Sequence, residues 1–429
     1  MKNSGIEWIG EIPGDWEVVY LSSIFNEHKR KNIGLICKNL LSLSYGKIKR
    51  KDINTTDGLL PESFEGYNII EKGDIVLRLT DLQNDQKSLR TGITHETGLI
   101  TSAYITIRCL PKIALPDYMH YYLHSFDTSK GFYGMGDGVR QGLNYDGIKK
   151  ILMLLPPINE QQKIADYLDK KCAAVDRLIE NQRAQIEKLK EYKQSVITEA
   201  VTRGLDPSAP LKDSGVEWLG KIPEKWVTKK ANIIFSVIGS GTTPNSSNSS
   251  YYDGDIPWIQ SGDLNCDVIT KTQKTLTREA LRTFSALKLY EDPFLVIAMY
   301  GASIGNIAYS RLTATTNQAC CVLAKCYENL RYFYYAFIAS KSILIDKAKG
   351  GTQPNISQDI IKRHRLPVPP LEEQRQIADY LDKKCAEIDK LIAIKQQKIE
   401  TLTEYKNLSY TNTLPAKNRW DKYVTNARV

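Results

Sequence analysis

The sequence predicts an α+β protein: two mixed, mostly β globules joined by two long antiparallel coiled-coil helices, the whole a pseudo-twofold internal duplication. Three observations carry this reading. The nine residues Ile164 to Cys172 (Ile-Ala-Asp-Tyr-Leu-Asp-Lys-Lys-Cys) return unchanged as Ile377 to Cys385, an offset of 377 − 164 = 213. The opening run Ser4 to Trp16 returns with few changes as Ser214 to Trp226, an offset of 214 − 4 = 210. Between these repeats, residues 26–150 and 236–363 share almost no alignable sequence. Ends that repeat around middles that differ describe one scaffold carrying two unlike heads.

In chain order, residues 1–155 make the first globule, 156–203 the first helix and 204–213 a linker. Residues 214–368 make the second globule, 369–410 the second helix and 411–429 an irregular tail. Within the globules, residues 73–80, 100–108, 293–300 and 318–324 are short apolar runs, several beside turn residues, which suits buried strands. Glycine-rich stretches at 131–142, 239–241 and 350–351 read as loops. Tyr118 to His124 and Tyr332 to Ile338 read as one short helix per globule, with an aromatic face belonging to the core.

Each long helix follows a double proline, Pro156-Pro157 or Pro369-Pro370, and Asn159 is a plausible cap for the first. The first helix places Leu168, Cys172, Val175, Ile179, Ile186 and Leu189 at alternating spacings of four and three, the seam of a coiled coil. The second places Leu381, Cys385, Ile388, Ile392, Ile399 and Leu402 at the same spacing. One polar residue interrupts each seam, Gln182 and Lys395, followed by the matched Lys193 and Lys406. Direction follows from the linker. A helix of about forty residues runs roughly 60 Å, whereas ten linker residues reach at most about 35 Å. The second helix must therefore return antiparallel to the first.

A chain of 429 residues, 42% hydrophobic, can bury two or more cores. No apolar run approaches the length that spans a bilayer, and the N-terminus lacks the apolar stretch of a signal peptide. The eight cysteines form no CxxC pair and the five histidines no ligand pattern, so reduced thiols, a cytoplasmic location and no metal are expected. A net charge of +9 leans towards a polyanionic partner. There is no GxxxxGK[ST] phosphate loop. Asp292-Pro293-Phe294 only brushes an amino-methyltransferase signature, without its second proline or a glycine-rich cofactor turn. Nothing argues for an enzyme.

Several motifs carry a resemblance. They are Glu-Trp-Ile-Gly-Glu-Ile-Pro (7–13), Gln-Gln-Lys-Ile-Ala-Asp (161–166), Gly-Thr-Thr-Pro (241–244) and Ile-Pro-Trp-Ile-Gln-Ser-Gly-Asp-Leu (256–264). Met-Tyr-Gly-Ala-Ser-Ile-Gly (299–305), Thr-Asn-Gln-Ala (316–319), Gly-Gly-Thr-Gln-Pro-Asn-Ile (350–356) and Pro-Pro-Leu-Glu-Glu-Gln (369–374) complete the set. In this order, on a duplicated frame, the chain resembles the specificity subunit of type I restriction–modification systems over nearly its whole length. The resemblance implies a non-catalytic, DNA-binding subunit whose two target-recognition domains each read half of a split, asymmetric double-stranded DNA site. It implies helices that act as a ruler and dock two modification (methyltransferase) subunits, on the outer charged faces around Asp169-Lys170-Lys171 and Asp382-Lys383-Lys384. Restriction subunits join in the full complex. No cofactor is expected on this chain; S-adenosylmethionine, ATP and Mg are expected on its partners.

Base edges are read by fork-like polar side chains on loops. In globule one the candidates are Arg78, Asp81, Gln83, Asn84, Arg90, Arg140, Gln141 and Asn144. In globule two they are Thr242, Thr243, Gln260, Ser261, Tyr300, Asn317, Gln318, Gln353 and Asn355. Lysines and arginines at 49–51, 149–150 and 362–365 suit phosphate contact or a solvated face.

The end of the second helix departs from the first. A reading frame shifted by two bases from Ser409 onward restores a Glu-x-Val-Thr ending like Glu199 to Thr202. The hypothesis is a frameshifted tail, with a helix that loses its final apolar turn; ordinary C-terminal drift is the other explanation. A stand-alone duplicated DNA-binding regulatory or structural protein is the alternative function.

Overall fold

The computed structural model describes residues 1–429 except 7–8, 55–60, 62, 83–84, 86–88, 134, 136–141, 349–353 and 414–429, and omits the side chains of 411–412. The chain forms two compact units, residues 1–183 with 397–429, and residues 184–396.

The first unit is built on a four-stranded antiparallel sheet, ordered Phe25–Glu27, Ile105–Cys109, Ile75–Leu77, Thr91–Ile93. Its central strand Ile75–Leu77 is buried throughout, as its unbroken apolar run requires. The run at 100–108 divides into two strands, Gly98–Ile100 and Ile105–Cys109, because residues 101–104 turn. A hairpin, Leu41–Ser44 with Lys47–Arg50, closes through Tyr45 and Gly46, both at positive φ, as a two-residue hairpin turn needs. The aromatic helix is Pro116–Thr128, with proline in its first turn and Tyr118, Met119, Tyr122 and Leu123 in the core.

The second unit holds a five-stranded sheet, ordered Phe235–Gly239, Cys320–Cys326, Phe294–Ala298, Ile307–Ser310, Val268–Ile269, with only the last pairing parallel. A three-stranded sheet lies beside it in sequence: Lys274–Leu276, Tyr252–Ile259, Thr315–Thr316. The aromatic helix here is Leu330–Ala339, buried along Tyr332 to Phe337.

Both globules are closed by the same device. Glu17–Tyr20 pairs antiparallel with Leu152–Leu155, and Val227–Lys230 pairs with Arg365–Val368. The strand before each double proline is thereby tied to the strand after each opening repeat.

The long helices are Ile158–Arg203 and Leu371–Thr413. The first begins directly after Pro157, so Asn159 lies inside its first turn and is no cap. Buried glutamines instead tie each helix start to its globule: Gln161 accepts from Leu115 N at 2.8 Å and donates to Pro156 O at 2.8 Å. Gln374 does the same with Asn329 N and Pro369 O, at 2.9 Å each. Gly204, at φ +76°, ends the first helix with its N–H on Ala200 O, a left-handed termination that glycine makes without strain.

Within each unit the helices run antiparallel. In the first, Cys172 meets Tyr410 and Asp176 pairs with Lys406; in the second, Gln185 meets Lys395 and Lys193 pairs with Asp389. The seam is as spaced. Leu168, Cys172, Val175, Ile179 and Ile186 are buried, as are Leu381, Cys385, Ile388 and Ile399, while Leu189, Ile392 and Leu402 are half-buried. The polar Gln182 is buried too. The second helix continues to Thr413 with Ser409 and Tyr410 buried, so it keeps an interior turn beyond residue 408. Tyr410 stands at the repeat position of Ile197 (410 − 213 = 197). It stacks on Tyr121 with centroids 5.6 Å apart and meets the His124 ring edge-on at 4.7 Å.

Candidate nucleic-acid interface

In the second unit, backbone hydrogen bonds draw five loops into one cluster. Asn317 N donates to Ile259 O, Met299 N to Ala319 O and Ile356 N to Met299 O. Gln358 Nε2 donates to Ser240 Oγ at 2.7 Å, and Gly241 N to Thr316 Oγ1 at 3.1 Å. A Cβ on Gly241 would sit 1.7 Å from Thr316 O, so only glycine permits this approach.

These bonds bring together Thr242, Thr243, Gln260, Ser261, Tyr300, Asn317, Gln318 and Asn355. Thr243 Oγ1 donates to Gln318 Oε1 at 2.6 Å, with both side chains exposed. Asn355 is exposed, while Thr242, Ser261 and Tyr300 are half-buried. Two candidates serve the fold. Asn317 is buried, its Oδ1 accepting from Ala319 N at 3.0 Å. Gln260 starts the turn at 261–265 in a reciprocal cap, its N–H donating to Asp263 Oδ2 at 2.8 Å. Gln353 lies outside the described residues.

The first unit repeats one of these bonds. Leu143 N donates to Leu79 O, and Leu143 stands 213 positions before Ile356. Asn144 and Ser357, also 213 apart, cap the helices that follow, each accepting from the N–H three residues on. The rest of this site differs. Arg90 was expected at the surface, and its side chain is 1% exposed. Its guanidinium donates to Thr80 O at 2.9 Å, to Asp81 O at 3.4 Å, to Asp85 O and to the Tyr133 hydroxyl at 3.4 Å. Its backbone N–H donates to Asp127 Oδ2 at 2.6 Å. Arg90 therefore holds the 78–85 loop from within and is not presented at the surface; a buried cation needs all these acceptors. Arg78 is half-buried and bound to Asp85 at 2.5 Å. Asp81 is exposed at φ +56°. Gln83, Asn84, Arg140 and Gln141 lie outside the described residues.

Burial pushes the Asp127 carboxyl up to about 6 against the pull of the Arg90 N–H and charge. Burial also pushes His120 down to about 4 and His124 to about 3. These histidines pack among tyrosines, with His124 Nδ1 3.1 Å from Thr91 Oγ1. Among the described residues no cluster of His, Cys, Asp and Glu could hold a metal, and no helix is long and apolar enough to cross a membrane.

A protein-family model described as the type I restriction modification DNA specificity domain matches residues 13–188 and 223–404. The chain belongs to this family. The two matched segments coincide with the two copies of the scaffold, each running from a closing strand into a long helix. The type I restriction enzyme MjaIX specificity subunit of Methanocaldococcus jannaschii is 32% identical over 190 residues, covering 43% of this chain and 42% of that protein. The EcoR124I/EcoR124II specificity subunit of Escherichia coli is 25% identical over 289 residues, 64% of each chain. Both matches span less than two thirds of those relatives. The MjaVIII specificity subunit, also from M. jannaschii, is 23% identical over 425 residues, 95% of each chain. A solved chain from work on complex assembly and conformational transition of the type I R-M system has a TM-score of 0.68 at 16% identity. It covers 95% of this chain and 100% of its own length. That likeness is one of fold.

Sequence reading missed the residues that hold these loops in place: buried Asp127 and half-buried Tyr133 around Arg90, and half-buried Ser240 and Gln358 beside Gly241. Nothing local marks them: Gln358 lies between Ser357 and Asp359, and Ser240 between two glycines. The carboxylates Asp169 and Asp382, read as part of an outer docking face, bind the aromatic helices of their own units. Tyr121 donates to Asp169, and Tyr335 donates to Asp382 at 2.6 Å.

Proposed function

We propose that this chain is the DNA-reading subunit of a type I restriction–modification assembly, each unit's loop cluster addressing one half of a split, asymmetric duplex site. The observation that carries this is the contrast between identical attachments and unlike loops. Trp16 Nε1 donates to Glu160 and Trp226 Nε1 to Glu373, both at 2.9 Å, while the loops above share almost nothing. A subunit that must recognise two different sequences from one frame needs that division. In this reading the helix lengths set the spacing between half-sites, and the chain itself catalyses nothing. It carries no cofactor: S-adenosylmethionine, ATP and Mg act on partner subunits in the cytoplasm.

The repeated outer surface supports two copies of one partner. Lys171 Nζ lies 5.5 Å from the Tyr167 ring and 4.9 Å from the Tyr405 ring. The same residue types recur 213 positions away as Lys384 and Tyr380, with Tyr192 in the place of Tyr405. Tyr192 and Tyr405 are exposed, where packing does not demand an aromatic ring, and exposed tyrosines are common anchors of interfaces. The partner expected is a methyltransferase chain, bound once by each unit.

Methylation mapping in a host carrying the system tests the reading. The expected result is a bipartite adenine motif with two unlike halves, and Gln318→Ala should relax one half only. A lone protein bound to one continuous site would overturn it in favour of a stand-alone regulator. Native mass spectrometry of Tyr192→Ser and Tyr405→Ser should show one partner copy lost in each.

A further inference from the structure

Between Phe25–Glu27 and the hairpin, the first unit turns large aliphatic side chains out to solvent. Ile33 is 75%, Leu35 47% and Ile36 67% exposed, three within four positions. The loop that shows them is built. Buried Asn32 accepts from Cys37 N at 3.0 Å and donates to Cys37 O at 3.1 Å, closing the loop on itself. Gly34 N donates to Glu65 Oε1 at 3.0 Å. Gly34 and Leu35 both hold left-handed backbone, at φ +76° and +52°, a region that leucine avoids. The hydrogen bonds hold apolar groups where water would disfavour them, and they do so against the strain of the Leu35 backbone.

The sequence on either side of the loop is cationic, while the Glu65 carboxylate sits on the loop itself. Residues 28–51 contain eight lysines and arginines and no aspartate or glutamate. Lys29, Arg30, Lys47 and Arg50 pair with acids outside that stretch, Glu27, Glu71, Asp176 and Glu96. Lys31 donates to Gly66 O. Lys38 and Lys49 have no ion-pair partner among the described residues. An exposed apolar tip within a basic stretch of chain matches the proteins that press aliphatic side chains between base steps while lysines take the phosphates. The second unit lacks it: the loop after its strand Phe235–Gly239, from Ser240 to Ser250, contains no large aliphatic residue.

We propose that the Ile33–Ile36 loop is an apolar wedge that enters the DNA duplex at a base step, with Lys38 and Lys49 on flanking phosphates. This rests on the reading of the chain as a DNA-binding subunit and makes the two heads unequal: the first deforms its half-site, the second does not. The full chain, purified with the subunits it retains, is titrated onto site-containing duplexes carrying 2-aminopurine at successive positions. The expected result is a fluorescence rise at one step in one half-site. Ile33→Ser with Ile36→Ser should abolish that rise and weaken binding by about tenfold or more, the factor lost when an aliphatic side chain is no longer buried. Its unfolding midpoint should not move. Lys38→Gln with Lys49→Gln should keep the rise and lower the salt dependence of binding by about 0.9 per lysine. Unchanged fluorescence and affinity in the serine variant overturn the wedge alone. So does a serine variant that loses partner subunits, or binding to phosphatidylserine vesicles, while holding DNA as before. A wild-type complex that binds no duplex overturns the underlying reading instead.

Discussion

Trp16 and Trp226 are both fully buried, and each gives its indole N–H to a glutamate in the first turn of a long helix, at the same 2.9 Å. In the loops the likeness is gone. In the first unit a buried arginine grips carbonyls of the 78–85 loop; in the second, neutral contacts, Gly241 on Thr316 and Gln358 on Ser240, do the equivalent job. Even the aromatic helices differ where they face the long helices. Arg331 binds Asp382 at 2.7 Å in the second unit, whereas Asp117 of the first is pushed upward by burial and by Asp169. The attachment of head to helix is therefore the invariant part. The means of holding the loops is free to change with what the loops must display.

Arg90 offers the strongest way to break the comparison. Arg90→Met keeps the volume but leaves three part-buried carbonyl acceptors, of Thr80, Asp81 and Asp85, without their donor, so the first unit should lose about 3 kcal/mol. Hydrogen exchange should show that loss in residues 1–183 and not in 184–396, and the first half-site alone should cease to be recognised. Equal loss across both units would mean that they do not unfold separately.

Acid sharpens it next. A histidine held neutral by burial binds its proton more readily unfolded, so stability falls as pH drops below 6.5 and continues to fall to about 4. Each such group contributes about 1.4 kcal/mol per pH unit. The first unit has two, His120 and His124, and the second has His364. Asp127, raised to about 6, takes its proton in the folded state over the lower part of that range and offsets one histidine. Both units should therefore lose stability at similar slopes between pH 6 and 4. Asp127→Asn should roughly double the slope of the first. Unit-resolved hydrogen exchange against pH reads this; an unchanged slope would mean that Asp127 stays ionised beside Arg90.

How far these features were legible depends on the range of the interactions behind them. The duplication and the seam are local patterns: Leu168 to Ile186, Gln182 included, and Leu381, Cys385, Ile388 and Ile399 are buried on the predicted spacing. The loop cluster of the second unit was largely legible, since its motifs already placed glycine and polar residues together. Arg90 was not: in sequence it looks like Arg78, and only Asp127, Tyr133 and the loop carbonyls, brought in by the fold, decide that one is sealed. The C-terminal end was misjudged for a related reason. Ser409 and Tyr410 do not look like an apolar turn, yet Tyr121, His124 and Cys172 offer Tyr410 a buried aromatic site. The Ile33–Ile36 loop drew no notice because apolar residues beside a glycine read as core.

The buried glutamines test the invariant side. Gln161→Leu and Gln374→Leu each strip partners from a backbone N–H and a proline carbonyl, at a cost of about 2 kcal/mol. Each amide also has a third acceptor, Ile113 O at 3.3 Å for Gln161 and Glu328 Oε2 at 3.0 Å for Gln374, so the two costs should be close, the second slightly larger because its acceptor is a nearer carboxylate. Chemical denaturation of the full-length variants checks both. A large mismatch would show that the repeated motif does unlike work in the two units.

The smallest effect comes from the ion pairs between the helices, and it is the strictest check of symmetry. Lys193–Asp389 at 2.8 Å and Lys406–Asp176 at 2.6 Å are the same pair in each copy, since both lysines and both aspartates are 213 apart. Their carboxylates are 46% and 37% exposed, so solvent screens much of the attraction. Each should couple by only about 0.5 kcal/mol and fade in salt. The neighbours are not identical: Asp176 also meets Lys47 at 3.2 Å, and Lys193 has Asp267 at 3.9 Å. A double-mutant cycle, Lys→Gln against Asp→Asn, cancels those single-site terms and leaves the pair. Equal couplings would mean that the scaffold kept its symmetry down to one ammonium and one carboxylate. A coupling several times larger in the first unit would mean that its hairpin, through Lys47, has been drawn into the helix contact and that the two attachments have begun to diverge.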